Sequence, residues 1–362
     1  MSPEQKPVRL RPEIVALAAY HQGKPAEDDA FKLSSNENPF EPIPEVLDAI
    51  AASSINRYPE ASAVELRTML SQRFGVDVES VHLGAGSVSL LSQLIQAAAG
   101  PGDQVVYSWR SFEAYPGLVA VAGASSVQVP NAPGGGHDLG AMAAAVTGRT
   151  RVVIVCNPNN PTSTIVTEAA FLDFMASVPS TVLVILDEAY IEFVDDPSSV
   201  DASRLLGRFP NLVLLRTFSK AYGLAGLRIG YAIGPAYLLD AARSTSIPLS
   251  VIEPAQRAAI ASLQHEAVLF ERVSRLILLR DRIWAALIEL GFSVPKPHGN
   301  FVWLSTGADT ERAAELFASH GIVVRAFPPE GIRISVGEEQ SVDALLAAAA
   351  ELAPRVSLGG ER

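Results

Sequence analysis

From about residue 78 to residue 235, short runs of apolar residues alternate with stretches in which apolar positions recur every three or four residues. The runs are VHLG, QVVYS, SSVQVP, RVVIVCN, TVLVILDE, NLVLLRT and RIGYAIG, and the periodic stretches include Ser89 to Ala99 and Glu168 to Ser177. A strand that is apolar at nearly every position has both faces covered, and helical crossovers are what cover a parallel sheet on both faces. The pattern therefore predicts a doubly wound α/β domain. After Pro254 the texture changes to one long helical pattern, Ala255 to Glu289, followed by short strands in NFVWLS, IVVRAF and GIRISV and helices over Thr310 to Ser319 and Val342 to Glu351. This predicts a smaller α+β domain. The N-terminal arm is rich in proline and has little strand or helix pattern before Ile43, so it is expected to wrap over other structure rather than form a core. The boundaries that follow are an arm at 1–42 belonging to the small domain, a large domain at 43–250 and the small C-terminal domain at 251–362. The PGGG stretch at 133–136 reads as a surface loop, and no internal repeat is found.

Composition narrows the function classes. A chain of 362 residues exceeds one ordinary core at roughly 150 residues per domain. Its 48% hydrophobic and 19% charged content is globular rather than disordered. With 39 acidic against 28 basic residues the formal net charge is -11, which disfavours nucleic acid and anionic membrane as partners and requires any anionic ligand to be met by local groups. The single cysteine, Cys156, forbids an internal disulfide and is expected to be a small buried residue ending its apolar run. The opening MSPEQKPVRLRPE does not read as an export signal, and no uncharged apolar run approaches the roughly 20 residues needed to span a bilayer. The expectation is a cytoplasmic protein.

Four strand ends carry candidate chemistry. Asp187 follows the apolar run of TVLVILDEAY, at the carboxyl end of a buried strand, where open α/β sheets bind ligands; alone, it could equally cap a helix or hold a salt bridge. In TFSKAYGLAGLRIGY, Lys220 lies among Thr217, Ser219 and Arg228, whose hydroxyls and guanidinium suit a phosphate; alone, a lysine in such a turn is merely solvated. VCNPNNPTS sets Asn157, Asn159 and Asn160 in a proline-stiffened turn, which on its own is an ordinary Asn-Pro turn. In HLGAGSVSLLSQL, Gly86 allows close backbone approach and Ser87 opens a helix whose amides favour an anion. Together they bring a lysine, a carboxylate, an amide and a phosphate cradle to one crevice. Pyridoxal 5'-phosphate needs that set: a Schiff-base lysine, a carboxylate to keep the pyridinium protonated, and a phosphate site.

The motifs NPNNPT, DEAYIEF and SKAYGLAGLRIGY, within a likeness running from LRPEIVALAAYHQGK to GIRISVG, resemble fold-type I PLP-dependent aminotransferases of the histidinol-phosphate and aromatic amino acid branch. The resemblance implies a doubly wound, mostly parallel seven-stranded sheet with a smaller α+β domain. It also implies that Lys220 carries the cofactor and shuttles the proton between the substrate α-carbon and C4' of the cofactor. Asp187 would pair with the pyridinium, Asn160 and Tyr190 would donate to the ring oxygen, and Phe112 would stack on the ring. Gly86, Ser87, Thr217 or Ser219, and Arg228 would hold the phosphate, with Tyr58 reaching a phosphate in the partner subunit of a homodimer. Arg333 would clamp the substrate α-carboxylate. Arg325, Tyr20 and Asn36 complete the expected substrate side, and no metal is implied.

Two positions depart from the family pattern: Ser163 replaces the glycine that usually follows Asn-Pro-Thr, and Glu41 stands where glycine is common. Ser163 puts the local backbone geometry in question, because a glycine with positive φ is not freely replaced. The segments GAGSVSLLSQL and YSWRSFEAYPGLVAVAGA, with NPTS, are more similar to the actinobacterial aromatic amino acid aminotransferases than to histidinol-phosphate enzymes. Apolar walls expected from Tyr20, Phe40 and Trp109 suit an aromatic side chain. The expected reaction is ping-pong transfer of the amino group of phenylalanine, tyrosine or tryptophan to 2-oxoglutarate. The alternatives are transamination of histidinol phosphate, a PLP decarboxylase acting on threonine phosphate, and a non-catalytic regulator; the last is disfavoured because an acidic chain has no residues left over for a DNA-binding domain.

Overall fold

A computed structural model describes residues 8–17 and 30–356. Eleven strands are present among them: β1 (Phe31–Leu33), β2 (Val81–Gly84), β3 (Gln104–Trp109), β4 (Ser125–Pro130), β5 (Thr150–Cys156), β6 (Leu183–Asp187), β7 (Leu212–Thr217), β8 (Gly230–Ile233), β9 (Phe301–Leu304), β10 (Ile322–Phe327) and β11 (Gly331–Ser335). Seven form one sheet in the order β2-β8-β7-β6-β5-β3-β4. The apolar runs of the sequence become strands because their alternate residues enter two different cores. On β5, Val153 and Val155 face one core while Val152, Ile154 and Cys156 face the other, and β6 and β7 divide in the same way.

The sheet is not wholly parallel. β8 pairs antiparallel with both β7 and β2, so it alone runs against the rest. The reversal has a consequence for the ligand edge: the residues that precede β8, rather than those that follow it, lie beside the carboxyl ends of β2 and β7, with Gly230 in register with Gly84 and Thr217.

The second sheet has the order β1-β10-β11-β9. Its first strand comes from the N-terminal arm, where the sequence showed no strand pattern; three residues are too few to display a period, and parallel pairing with β10 rather than local propensity makes them a strand. A further difference lies after Pro254. The expected single helix is two, Glu253–Gln264 and Glu266–Glu289, separated at His265, which leaves helical geometry at φ -116° and ψ 27°. Glu266, opening the second helix, accepts from the Tyr222 hydroxyl at 2.5 Å and pairs with Arg73. These tertiary anchors set a new helix start that the amphipathic period does not reveal. Among the described residues no helix is long and apolar enough to cross a membrane.

Candidate active site

The carboxyl edge of the large sheet collects the residues that the motifs singled out. Asp187 ends β6 and is buried. Its Oδ2 accepts a 2.7 Å hydrogen bond from the Tyr115 hydroxyl, whereas Oδ1 has no hydrogen-bond partner among the described residues. Burial pushes this carboxyl up to about 6, against the pull of the Tyr115 hydroxyl and of the nearby Ala189 backbone N–H. An orphaned buried carboxylate oxygen is costly unless a donor from outside the chain completes it.

Lys220 lies three residues beyond β7. Its Nζ donates to the Ser35 carbonyl at 3.1 Å and sits 5.7 Å from the centre of the Tyr190 ring. Burial, reinforced by the nearby charges of Arg333 and Arg228, pulls the amine down to about 7. Asn38 ties this turn to the arm by donating to the carbonyls of Lys220 and Ala221 at 3.2 and 3.1 Å.

The reversed β8 brings Arg228 to the same edge. Its Nη1 reaches the Ser219 hydroxyl at 3.4 Å and the Ala225 carbonyl at 2.9 Å. Gly86 has φ +80°, which calls for glycine, and a Cβ there would meet Arg228 Nη2 at 2.5 Å and push the guanidinium aside. Ser87 then opens the helix Ser87–Ala98. A guanidinium, a hydroxyl and a helix N-terminus meeting at one point form an anion cradle. Thr217 lies behind it: its hydroxyl accepts from the Ser219 backbone N–H at 3.1 Å and shapes the turn.

The small sheet supplies the other side. Arg333 on β11 donates through Nη1 to Asn160 Oδ1 at 2.6 Å and through Nη2 to the Ser34 carbonyl at 2.7 Å. The Asn160 amide oxygen is thus engaged, which leaves the NH2 end as its donor. Asn36 is fully buried: its Nδ2 donates to the Tyr190 hydroxyl at 3.0 Å, while Oδ1 accepts from Ser335 at 2.9 Å. Burial holds the Tyr190 phenol well above its usual range, so it stays protonated.

The loop after β3 closes the remaining side. Phe112 meets Tyr115 edge to face, with ring centres 5.6 Å apart at 89°. Glu113 pairs with Arg325 at 2.7 Å, and Arg110 pairs with Glu330. Arg110 also lies over the Trp109 ring at 4.7 Å and near Phe327 at 5.4 Å. Phe40 carries Arg272 over its ring at 5.4 Å and lines a groove with the helix Glu266–Glu289. Tyr58 is 86% exposed on the chain taken alone. Tyr20 lies outside the described residues.

Ser163 occupies the left-handed region, with φ 62°. Its Oγ accepts from the backbone N–H groups of His298 and Gly299 at 3.1 and 2.8 Å, bonds a glycine could not make. Glu41 is exposed, and its carbonyl accepts from Arg272 at 2.6 Å. Cys156 is buried and its thiol is pushed up to about 12 by burial.

Sequence reasoning missed Tyr115, Ser335 and the buried cluster Glu188–Arg216–Asp201, in which Arg216 donates to Glu188 at 2.8 Å and Asp201 at 2.6 Å and locks β6 to β7. Glu188 stands next to Asp187 in DEAY, and Tyr115 and Ser335 lie inside the quoted YSWRSFEAYPGLVAVAGA and GIRISVG, but nothing local marks their partners Asp187 and Asn36.

Residues 28–348 match the family model for aminotransferase class I and II. The chain is a member of that family. It is 50% identical over 343 residues to the aromatic amino acid aminotransferase of Streptomyces avermitilis, covering 93% of this chain and 96% of that protein. It is equally 50% identical over 351 residues to the aromatic amino acid aminotransferase of Thermobifida fusca, covering 96% and 98%. Among solved structures, the histidinol-phosphate aminotransferase of Sinorhizobium meliloti, in complex with pyridoxal-5'-phosphate, superposes with a TM-score of 0.86 at 30% identity over 96% of this chain and 98% of that one. Aspartate aminotransferase from Thermus thermophilus, with maleate, shares the fold at a TM-score of 0.79 and 24% identity over 90% and 92%. The class I aminotransferase architecture accounts for the seven-stranded, mostly parallel sheet and its crowded carboxyl edge.

Proposed function

We propose that this class I and II aminotransferase uses pyridoxal 5'-phosphate to exchange the amino group between phenylalanine, tyrosine or tryptophan and 2-oxoglutarate, giving the aromatic 2-oxo acid and L-glutamate. The residues present fit the cofactor. The orphaned Asp187 Oδ1 suits a protonated ring nitrogen, the space kept by Gly86 beside Arg228 suits a phosphate, and the depressed amine of Lys220 suits covalent attachment. When bound, the cofactor supplies an electron sink for the pair left when the substrate α-carbon loses its proton.

The chain's own groups do the rest. Lys220 Nζ would hold the cofactor and, once displaced by the substrate amine, its free amine, neutral above about pH 7, would take the proton from the substrate α-carbon and return it on the cofactor side of the substrate nitrogen. Asp187 would keep the ring nitrogen protonated. Gly86, Ser87, Ser219 and Arg228 would hold the phosphate, with Thr217 shaping the turn; Asn160 and the un-ionised phenol of Tyr190 would donate to the ring oxygen, and Phe112 would pack on the ring. Arg333 binds the α-carboxylate common to both amino acids, through the guanidinium that also orients Asn160. Asn36 sets the Tyr190 hydroxyl.

The aromatic reading rests on one observation beside the two relatives: Arg325 is already neutralised by Glu113 at 2.7 Å. A phosphate-bearing side chain would need that cation uncommitted. The test is a half-reaction on the cofactor-loaded protein, followed by the visible absorbance of the bound cofactor, with phenylalanine and histidinol phosphate added separately. Faster loss with phenylalanine is expected; faster loss with histidinol phosphate would move the substrate assignment to histidinol phosphate.

The working unit is a homodimer in which Tyr58 acts on the partner's site. Its support is that Ile55, Tyr58 and Ile247 are large apolar side chains 89%, 86% and 76% exposed on the chain taken alone, on segments that Gln256 ties together by donating to the carbonyls of Glu60 and Val251 at 3.2 and 3.0 Å. Such exposure suits burial against a second copy. The pairing of β1 with β10 supports a division in which the arm at 1–42 joins 251–362 beside a large domain at 43–250. We assign the protein to the cytoplasm, a reducing compartment that suits a lone, buried, unpaired cysteine.

A further inference from the structure

We propose that Tyr115 is a positioning residue for the cofactor: its hydroxyl holds one oxygen of Asp187 so that the other is aimed at the ring nitrogen, and its ring props Phe112 against the ring face. The proposal rests on the PLP reading above.

Three observations carry it. Tyr115 is fully buried at the start of the helix Tyr115–Ala122, 72 residues from Asp187 in the chain, yet donates to Asp187 Oδ2 at 2.7 Å. The second carboxylate oxygen is left with no partner among the described residues. And the same tyrosine ring is wedged between Phe112, edge to face at 5.6 Å, and Tyr107 at 5.6 Å. One side chain therefore touches both the carboxylate assigned to the ring nitrogen and the aromatic ring assigned to stacking.

The direction of the hydrogen bond is fixed by chemistry. Burial, and the charge of Asp187 beside it, hold the phenol well above its ordinary range, so Tyr115 remains a donor. A donor to one carboxylate oxygen favours the ionised form and restrains rotation of the group. Both effects serve a carboxylate that must stay charged in a dry site to keep a pyridinium protonated. A merely structural tyrosine would need its ring but not its hydroxyl, which makes Tyr115→Phe the discriminating variant: it keeps the packing on Phe112 and Tyr107 and deletes the hydroxyl's bond to Asp187 together with its contact with the Cys156 thiol, two losses that the Asp187→Asn background separates.

The experiment loads wild type and Tyr115→Phe with PLP carrying 15N in the ring, and measures both the PLP dissociation constant and the 15N chemical shift at neutral pH. The expected results are dissociation weakened about tenfold or more, the scale of a hydrogen bond to a charged group, and a shift of the ring nitrogen towards its unprotonated value. Thermal unfolding of the two cofactor-free proteins guards against a general loss of structure. Should Tyr115→Phe fold poorly, the same comparison is made in an Asp187→Asn background: if Tyr115 acts through Asp187, its substitution there adds little to the loss of PLP affinity, and full additivity overturns the proposal. An unchanged dissociation constant and 15N shift in Tyr115→Phe also overturns it. Failure of the wild-type protein to bind PLP with a protonated ring nitrogen would instead overturn the cofactor reading, so the two failures are distinct.

Discussion

Arg333 donates to the side-chain oxygen of Asn160 across 173 positions of sequence, so the group assigned to the substrate carboxylate and the group assigned to the cofactor ring oxygen hold each other. Replacing Arg333 by Lys keeps a charge but loses the planar fork that reaches Asn160 and Ser34 together. Because both half-reactions use the same α-carboxylate site, kcat/KM is expected to fall about 100-fold for phenylalanine and for 2-oxoglutarate alike. Steady-state kinetics varying each substrate in turn checks this. Loss confined to one of the two would remove Arg333 from the shared site.

Lys220 should titrate far from an ordinary lysine. Its amine is pulled to about 7 by burial and neighbouring positive charge. A depressed value means that the protonated form dominates below about pH 7 and the free amine above it, whereas a solvated lysine needs a pH near 10.4. In cofactor-free protein, an amine-directed reagent read out by peptide mass spectrometry should modify Lys220 with a midpoint near pH 7. A midpoint near the 10.4 of a solvated lysine would contradict the assignment.

At Ser163 two effects oppose each other. The left-handed backbone costs about 1 kcal/mol relative to glycine, and the hydroxyl accepts from His298 and Gly299. Ser163→Ala keeps the backbone cost and deletes the acceptor, so it is expected to lose about 1–3 kcal/mol. Ser163→Gly also loses the acceptor but relieves the backbone and should lose about 1 kcal/mol less. Denaturant unfolding of the two variants ranks them; a glycine variant less stable than the alanine variant would be inconsistent with this account.

Mixing subunits tests Tyr58. If it serves the partner's site, a heterodimer of Lys220→Ala and Tyr58→Phe chains contains one site that has both residues. Random reassociation of equal amounts should then restore about one quarter of wild-type sites, measured as turnover above the mean of the two parents. Turnover equal to that mean would mean that Tyr58 acts within its own chain or not at all.

Much of this molecule is legible in one dimension. The strands of the large sheet could be read because each is short, apolar throughout and bounded by turns, and burial on both faces leaves that mark on composition. That Lys220, Asp187 and Asn160 come to one edge of the sheet could be read because strand ends are where such sheets bind ligands and because their motifs are specific. The short strand β1, the break at His265 and the hydrogen bond from Tyr115 to Asp187 could not, since each depends on a partner distant in the chain.

The chain by itself determined which residues are available for chemistry and the order in which strands and helices present them. Only the tertiary structure decided which of them meet: the reversal of β8 that brings Arg228 to the carboxyl edge of the sheet, the pairing of Arg325 with Glu113, and the single oxygen of Asp187 left without a partner among the described residues. The reason is physical. Periodicity records which face of an element is buried, a property of each residue's own surroundings, whereas hydrogen bonds and ion pairs across the fold depend on distance and direction between elements, which no local pattern encodes.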